Sequence, residues 1–193
     1  EPPIRTMLYS NNTLYIGGNF VAAGGKPIDL LAAWDGTTFS EVAGGINDEG
    51  FDQVYALAAA PAGLVAGGSF HLMSDKLAWN VALLSGGEWV ALGQGVSTDW
   101  SDSPGKPYAL AGDDAGSVYI GGEFTRLGGV AAKNIGRWDG ARWHNIGDAD
   151  SYVSALAVGG GFLYAGGNFT QIGGISASHV ARMDLASGQW SAL

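Results

Sequence analysis

One glycine-rich phrase recurs four times along the chain and constrains every other inference about its fold. In its fullest form the phrase reads Leu-Tyr-Ala-Gly-Gly-Asn-Phe over residues 163–169, and a second glycine pair follows at 173–174. The first glycine of each copy is Gly17, Gly67, Gly121 or Gly166, and a large apolar residue lies 17 positions later in every copy. Four copies with one fixed internal spacing indicate a repeat architecture.

Each copy contains four short runs of the kind that form strands, rich in Val, Ile, Leu and aromatic residues and bounded by Gly, Asn, Asp and Ser. In the first copy the runs cover 4–10, 13–20, 30–35 and 38–43. Equivalent runs start near 54, 64, 80 and 88, near 107, 117, 134 and 142, and near 153, 162, 179 and 188. No segment keeps apolar residues at helical spacing over ten positions, so we expect essentially no helix.

Successive copies are separated by 50, 54 and 45 residues, as the positions of the first glycines show. Units of this size with four strands each match the blades of a β-propeller. We therefore predict an all-β fold, a single β-propeller domain over 1–193 made of four four-stranded antiparallel blades. The predicted blades cover about 4–50, 54–103, 107–149 and 153–193.

Glycine inside a strand pattern usually marks the close approach of another backbone, so we expect the glycine pairs to lie where blades meet. The phenylalanine that follows each pair is expected to wedge between blades. These structural residues are Gly17, Gly18, Phe20, Gly67, Gly68, Phe70, Gly121, Gly122, Phe124, Gly166, Gly167 and Phe169. The later pair Gly24-Gly25 is expected to form a turn with positive φ, and copy 2 has Ser74-Asp75 in its place.

The phrase Gly-Gly-Asn-Phe-Thr at 166–170, with Gly173-Gly174 and Ala181-Arg182 after it, resembles a kelch-like propeller repeat. The resemblance covers all four copies. It is closest to the variant found in fungal cortical cell-polarity markers and in many secreted or surface-attached bacterial proteins. It implies an extracellular or cell-surface location and a non-catalytic role in binding or scaffolding.

The copies are in phase, from a first strand near Ile4 to a fourth strand ending at Leu193. No strand is left over to exchange between the first and last blades. We therefore expect blade 4 to meet blade 1 without strand exchange. The arrangements left open are a four-bladed ring, part of a larger ring, and a head-to-tail assembly of copies.

Charge and composition exclude several classes of partner. The net charge is −9 and the nine basic residues are scattered, which argues against nucleic acid binding. No apolar run approaches the roughly 20 residues of a membrane helix. The chain has no cysteine and hence no disulfide or thiolate chemistry. Because residue 1 is Glu rather than Met, we expect a processed product or a segment of a longer chain.

The residues show no recognisable catalytic or metal-binding constellation. His71, His144 and His179 lie at non-equivalent positions without metal-ligand spacing, and neither a nucleophile elbow nor a phosphate-binding loop is present. We therefore expect no enzyme activity, no metal site and no cofactor. The links between blades carry the acidic residues Asp48, Glu49, Asp52, Asp99, Asp102, Asp148 and Asp150. Calcium could bind there, although no complete calcium loop exists and a solvated acidic rim is the simpler interpretation.

Copy 2 departs most from the template and supplies the candidate binding site. Trp79 aligns with Asp29, Lys133 and Ser178, so blade packing does not require an aromatic ring there. The long link after this copy holds a second off-template tryptophan, Trp100. We predict an apolar patch with an acidic rim, made of His71, Leu72, Met73, Trp79, Trp100, Asp99 and Asp102. The alternative is that Trp100 covers Trp79 in a small satellite core.

These patterns predict a non-catalytic extracellular scaffold or binding module, used for protein–protein interaction or for building a surface structure. The partner is expected to be a protein or a glycan, and copies of the same chain are included. A glycan-binding lectin is one alternative, and an enzyme using the propeller channel is another. Asn11 and Asn168 match the N-glycosylation pattern.

Overall fold

A computed structural model of the chain describes residues 4–46, 53–98 and 104–193. These ranges contain strands and no helix, and hence no helix that could cross a membrane. The strands in chain order are β1 (Ile4–Ser10), β2 (Thr13–Gly18), β3 (Ala22–Ala23), β4 (Lys26–Pro27), β5 (Leu31–Trp34), β6 (Phe39–Glu41), β7 (Gln53–Ala60), β8 (Gly63–Ser69), β9 (Leu72–Met73), β10 (Lys76–Leu77), β11 (Val81–Ser85), β12 (Glu88–Ala91), β13 (Val96–Ser97), β14 (Lys106–Gly112), β15 (Val118–Glu123), β16 (Arg126–Leu127), β17 (Val130–Ala131), β18 (Ile135–Trp138), β19 (Trp143–His144), β20 (Val153–Gly159), β21 (Phe162–Gly167), β22 (Gln171–Ile172), β23 (Ile175–Ser176), β24 (Val180–Asp184) and β25 (Trp190–Ala192).

The longer strands form four four-stranded antiparallel sheets. Sheet 1 contains β1, β2, β5 and β6, and sheet 2 contains β7, β8, β11 and β12. Sheet 3 contains β14, β15, β18 and β19, and sheet 4 contains β20, β21, β24 and β25. Strands pair in chain order within each sheet, so the described residues of the first and last sheets exchange no strand. The all-β class predicted from the sequence is confirmed. The predicted starts of the four long strands in each copy lie within two residues of the observed starts.

In sheets 1, 2 and 3 the first glycine of the pair lies against the first strand of the next sheet, which is β7, β14 or β20. A Cβ atom added to Gly17 would lie 2.5 Å from Val54 Cγ1, and one added to Gly121 would lie 2.6 Å from Val153 Cγ1. Real carbon contacts are about 3.5–4.0 Å. These glycines are therefore required by the packing of one sheet on the next, as the sequence predicts.

The second glycine of the pair in sheets 2, 3 and 4 has a different reason, which the sequence did not reveal. The first strand of each sheet carries a β-bulge near its start; these strands are β1, β7, β14 and β20. A Cβ on Gly68 would overlap the carbonyl oxygen of Gln53 in the same sheet, and a Cβ on Gly122 would overlap that of Lys106. The expectation that both glycines of a pair face the neighbouring sheet is therefore wrong for the second one, which accommodates its own sheet's bulge.

A two-residue hairpin loop projects between the second and third strands of every sheet. The hairpins are β3–β4, β9–β10, β16–β17 and β22–β23. Ser74 and Asp75 have φ values of 47° and 62°, and Gly24 and Gly25 have values of 58° and 77°. Two consecutive positive φ values are the requirement of a type I′ turn, and Asp tolerates them. Copy 2 thus keeps the predicted turn although it lacks the glycines.

The links between sheets lie beside these hairpins. Strand β13, in the link from sheet 2 to sheet 3, pairs with β16 of the next hairpin. Ala149, in the link from sheet 3 to sheet 4, forms an isolated bridge with Ile172 of β22. Hairpins and links therefore share one face of the molecule, as predicted, and we name it the hairpin face.

An indole hydrogen bond fixes each described link to the sheet that follows. The tryptophan in the fourth strand of sheets 2, 3 and 4 donates from Nε1 to a carbonyl of the preceding link, that of the residue three positions after the equivalent aromatic residue of the preceding sheet. The pairs are Trp89–Val42 at 3.4 Å, Trp143–Leu92 at 2.8 Å and Trp190–Ile146 at 2.6 Å. Sheet 1 has Phe39 at this position and so has no indole donor.

The hydrophobic core lies between sheets rather than within them. One cluster combines Leu31 of sheet 1 with Phe70 of sheet 2, a second combines Val81 of sheet 2 with Phe124 of sheet 3, and a third joins sheets 3 and 4. The four wedge phenylalanines are buried, as predicted: Phe20, Phe70, Phe124 and Phe169. A smaller fourth cluster around Phe20 belongs to sheet 1 alone. Stability therefore depends on each sheet having a neighbour.

The outer sides of the first and last sheets are exposed. In β1 the exposed fractions of Ile4, Met7 and Tyr9 are 56%, 64% and 68%, whereas Val54, the counterpart of Ile4 in β7, is fully buried. The first strands of neighbouring sheets pack on each other: β1 on β7, β7 on β14 and β14 on β20. A closed ring of four blades, one of the arrangements expected from the sequence, would bury Ile4, and these exposures do not fit it.

Candidate functional site

Trp79 lies on the hairpin face, between β10 and β11, and its side chain is 43% exposed. Its backbone carbonyl accepts a 3.0 Å hydrogen bond from Val96 N. The same bond occurs in sheet 3, where Lys133 O accepts from Ala149 N at 3.1 Å. The fold thus uses the backbone at this position in both sheets, whatever the side chain. That the indole serves something other than packing stays a prediction.

The neighbouring residue Asn80 holds Trp79 in place. Asn80 is 1% exposed and adopts a positive φ of 71°. Its side chain accepts from Phe70 N at 3.2 Å and donates to Val96 O at 3.1 Å. Asn favours this backbone conformation more than most residues do. The indole therefore projects from a segment that hydrogen bonds tie to Phe70 and Val96.

A groove of 330 Å³ lies beside Trp79, where sheet 2 meets the hairpin of sheet 3. Its walls combine apolar and polar groups: Trp79, Gln94, Val96, Ser97, Pro104, Arg126 and Gly129. His71 packs edge-on against the indole, with ring centroids 5.1 Å apart at an interplanar angle of 81°. Two of the seven residues of the predicted patch, His71 and Trp79, thus lie together at this surface, and we name the cavity beside them the Trp79 groove.

The other predicted members of the patch have different positions. Leu72 is half-buried, and Met73 is fully buried in the core shared by sheets 1 and 2. The prediction that Met73 is exposed is wrong because neighbouring strand residues face opposite sides, and Leu127 and Ile172 are buried at the same hairpin position. Trp100, Asp99 and Asp102 lie outside the described residues.

The acidic residues of the last link serve the fold. Asp150 accepts from Thr170 N at 2.8 Å, Thr170 Oγ1 at 2.6 Å and Gln171 N at 3.0 Å. These bonds, that of the Thr170 hydroxyl foremost, hold the pKa of Asp150 below its ordinary value. Asp148 accepts from Lys133 N at 2.9 Å. Both carboxylates therefore tie the link to neighbouring segments.

No group of three or more His, Cys, Asp or Glu suited to a metal ion occurs in the described part of the chain. Asp48, Glu49 and Asp52, which contributed to the suggestion of calcium, lie outside it. Asn11 and Asn168 are exposed, as glycosylation would require. The glycosylation of these two residues stays a prediction.

A row of tyrosines crosses three sheets and was missed in the sequence. The rings of Tyr55 and Tyr108 are 5.7 Å apart, and those of Tyr108 and Tyr152 are 6.1 Å apart. Tyr108 donates to Glu123 Oε2 at 3.2 Å, and burial, with the charge of Glu123, raises its pKa to about 12. Tyr55 and Tyr108 occupy the same bulge position in successive copies, and this repetition is the signal that could have revealed them.

Comparisons with known proteins show the fold and nothing more specific. No family model and no curated protein sequence matches the chain. Among solved structures, the computationally designed Ika8 protein is similar over 95% of this chain, with a TM-score of 0.54 and 14% identity. PorZ of Porphyromonas gingivalis, a bacterial surface component of the type-IX secretion system, is similar over 98%, with a TM-score of 0.57 and 15% identity.

The chain spans 46% of the length of Ika8 and 27% of the length of PorZ. YCF48, solved with a D1 peptide, has a TM-score of only 0.38 at 13% identity, over 98% of this chain and 67% of its own. Together with the repeated four-stranded sheets, the similarity to PorZ shows an all-β, propeller-like fold. It does not distinguish the kelch-like class from other propellers.

Proposed function

We propose that the chain is a non-catalytic propeller-type scaffold that binds a protein partner through the Trp79 groove. The observation that carries this proposal is the exposure of the Trp79 side chain at a position where the fold needs only the backbone. Tryptophan is enriched at the centres of protein interfaces, since it buries a large area at a small cost in side-chain entropy.

The lining of the groove fits a polypeptide. Val96 and Pro104 provide apolar surface beside the indole, and Gln94 and Ser97 provide hydrogen-bonding groups. Protein-binding surfaces typically combine an aromatic anchor with such a mixed surround. Trp79 aligns with Asp29, Lys133 and Ser178, so the aromatic anchor is not repeated in the other copies, whereas a lectin built from repeats is expected to repeat its binding residues.

The lowered pKa values of Asp35 and Asp184 support a non-catalytic role, because hydrogen bonds within tight turns account for them. Asp35 accepts from the Thr37 hydroxyl at 2.7 Å, and this bond is the main reason that its pKa lies far below the ordinary value. In the same way, Ser187 N donates to Asp184 at 2.8 Å and lowers its pKa. A carboxylate stabilised in its charged form is a poor general acid at neutral pH.

A peptide-display library panned in parallel with a glycan array tests the proposal. The wild type should enrich a set of peptides, and Trp79→Ser should lose them while keeping the wild-type melting temperature. Trp34→Ser is the matched control, since Trp34 is 36% exposed on sheet 1 and does not line the groove. Peptide enrichment that survives Trp79→Ser would overturn the protein-binding site. Glycan signals that disappear in Trp79→Ser would favour the lectin instead.

The extracellular or cell-surface location is part of this proposal and rests on the resemblance of the repeat phrase to surface proteins. Fractionation of the source cells, with an antibody against the chain, tests it. Protein accessible to added protease on intact cells supports the location. A chain protected until the cells are lysed contradicts it, and that result leaves the peptide-binding test unaffected.

A further inference from the structure

A second cavity lies between sheets 3 and 4, on the face opposite the hairpin face. It measures 480 Å³, a size typical of sites for small molecules. The turn between β14 and β15 forms one wall, and the turn between β20 and β21 forms the other. We name it the Arg137 cavity after the arginine of β18 that lines it. It is separate from the Trp79 groove, so the inference drawn from it does not depend on the proposed function.

The Arg137 side chain lacks a partner. Its Nε atom is shielded from solvent and has no hydrogen bond in the described part of the chain. Nor does Arg137 form an ion pair with any described residue. Polar atoms that are shielded from solvent are almost always hydrogen-bonded in folded proteins. We therefore expect the acceptor for this guanidinium to come from a ligand in the cavity.

The equivalent arginine of sheet 4, Arg182, finds its partners within its own sheet. Its Cζ lies 4.4 Å from the centroid of the Phe162 ring, and its Nε donates to Ser191 Oγ at 3.3 Å. Sheet 3 has Ser117 and His144 at these two positions, and neither provides such a contact. The repeat can thus satisfy an arginine at this position, and in sheet 3 it does not.

The other lining residues define the chemistry of the ligand. Asp113 and Asp114 line the same cavity, so they should repel phosphate and attract a cationic group. The Tyr119 hydroxyl donates to Asp113 at 3.0 Å, and burial, followed by this hydrogen bond, raises its pKa to about 12, so it stays protonated at neutral pH. Val158 and Leu185 add apolar surface. The cavity therefore combines a cation, carboxylates and an apolar wall.

We propose that the Arg137 cavity binds a small zwitterion, an α-amino acid with an apolar side chain. Arg137 pairs with the carboxylate, because a planar guanidinium matches the two carboxylate oxygens. Asp114 accepts from the ammonium group, since Asp113 is already hydrogen-bonded within its own sheet. The apolar side chain of the ligand lies against Val158 and Leu185.

Isothermal titration calorimetry with matched probes tests the proposal. The zwitterions are L-leucine, L-methionine and L-phenylalanine. Isocaproate resembles leucine without the ammonium group, isopentylamine resembles it without the carboxylate, and inorganic phosphate is a plain anion. At least one zwitterion should bind, isocaproate should bind more weakly than leucine, and the last two should not bind. Flat titrations for all three zwitterions would mean that the cavity holds water only and would overturn the proposal. Phosphate or isocaproate that binds as tightly as the amino acids would overturn it too.

Arg137→Met keeps the length of the side chain and removes the guanidinium. It should weaken binding of the best amino acid by about tenfold to a hundredfold, the usual effect of losing charge-assisted hydrogen bonds. Its melting temperature should not fall, because Nε has no partner in the described fold. Arg182→Met is the matched control, since it makes the same change at the equivalent position of sheet 4, and it should bind like the wild type.

Asp114→Asn tests the other end of the ligand. It should weaken binding of the amino acid, and it should leave binding of isocaproate unchanged or stronger, because isocaproate has no ammonium group. Amino-acid binding that survives Arg137→Met, or that Arg182→Met weakens as much, would show that Arg137 does not hold the carboxylate.

Discussion

Replacing Gly121 with valine tests whether the packing of one sheet on the next stabilises the whole fold. The new Cβ would lie 2.6 Å from Val153 Cγ1, 3.0 Å from Val153 Cβ and 3.3 Å from Val153 O. Ordinary carbon contacts are about 3.5–4.0 Å, so β20 must move by about 1 Å. Gly121 and Val153 are both buried, and no open space lies beside them.

Overpacking of this kind costs about 1–3 kcal/mol, and the two γ-methyl groups place Gly121→Val at about 3 kcal/mol. The higher strand propensity of valine offsets about 1 kcal/mol of that cost. The net loss of about 2 kcal/mol should lower the melting temperature of a chain of this length by about 4–8 °C. Urea unfolding followed by tryptophan fluorescence should show the same free-energy loss.

Gly166→Val is the matched control for this experiment. The residue is the equivalent glycine of sheet 4, but its new Cβ would have no neighbour closer than 3.7 Å. Its stability should equal or slightly exceed that of the wild type. If Gly166→Val loses as much as Gly121→Val, the glycines are required for some reason other than contact with the next sheet.

Two further substitutions test the links between sheets. Trp143→Phe, which copies the Phe39 of sheet 1, should lose about 1–3 kcal/mol in urea unfolding, because the buried carbonyl of Leu92 loses its indole donor; an unchanged unfolding midpoint would contradict this. Asp150→Asn should lower stability at neutral pH, since hydrogen bonds led by that of Thr170 lower the pKa of Asp150 in the folded state. The stability gained from such a shift is present above the unfolded pKa of 3.8 and is lost as the pH falls towards the folded value. The difference in stability between Asp150→Asn and the wild type should therefore shrink below pH 3.8. A difference that stays constant with pH would contradict this.

The sequence by itself determined the repeating unit. The spacing of 17 residues from Gly17 to Trp34 and its repetition located the second and third strands of every copy. Local chemistry also identified the positive-φ turn at Ser74-Asp75, because few residues tolerate that conformation. Trp79 was identified as an unusual residue because three other copies show what the position requires.

Only the tertiary structure decided how these units meet. The bulge that requires Gly68 depends on a carbonyl 15 residues away in the chain, that of Gln53, and no local pattern records this approach. The burial of Met73 depends on which face of a two-residue strand turns towards Val42 and Trp89. The angle between packed sheets, which decides whether sheets can close into a ring, is likewise a property of the tertiary structure. That angle is a sum of many side-chain contacts between repeats, so a sequence pattern that repeats within each copy cannot determine it.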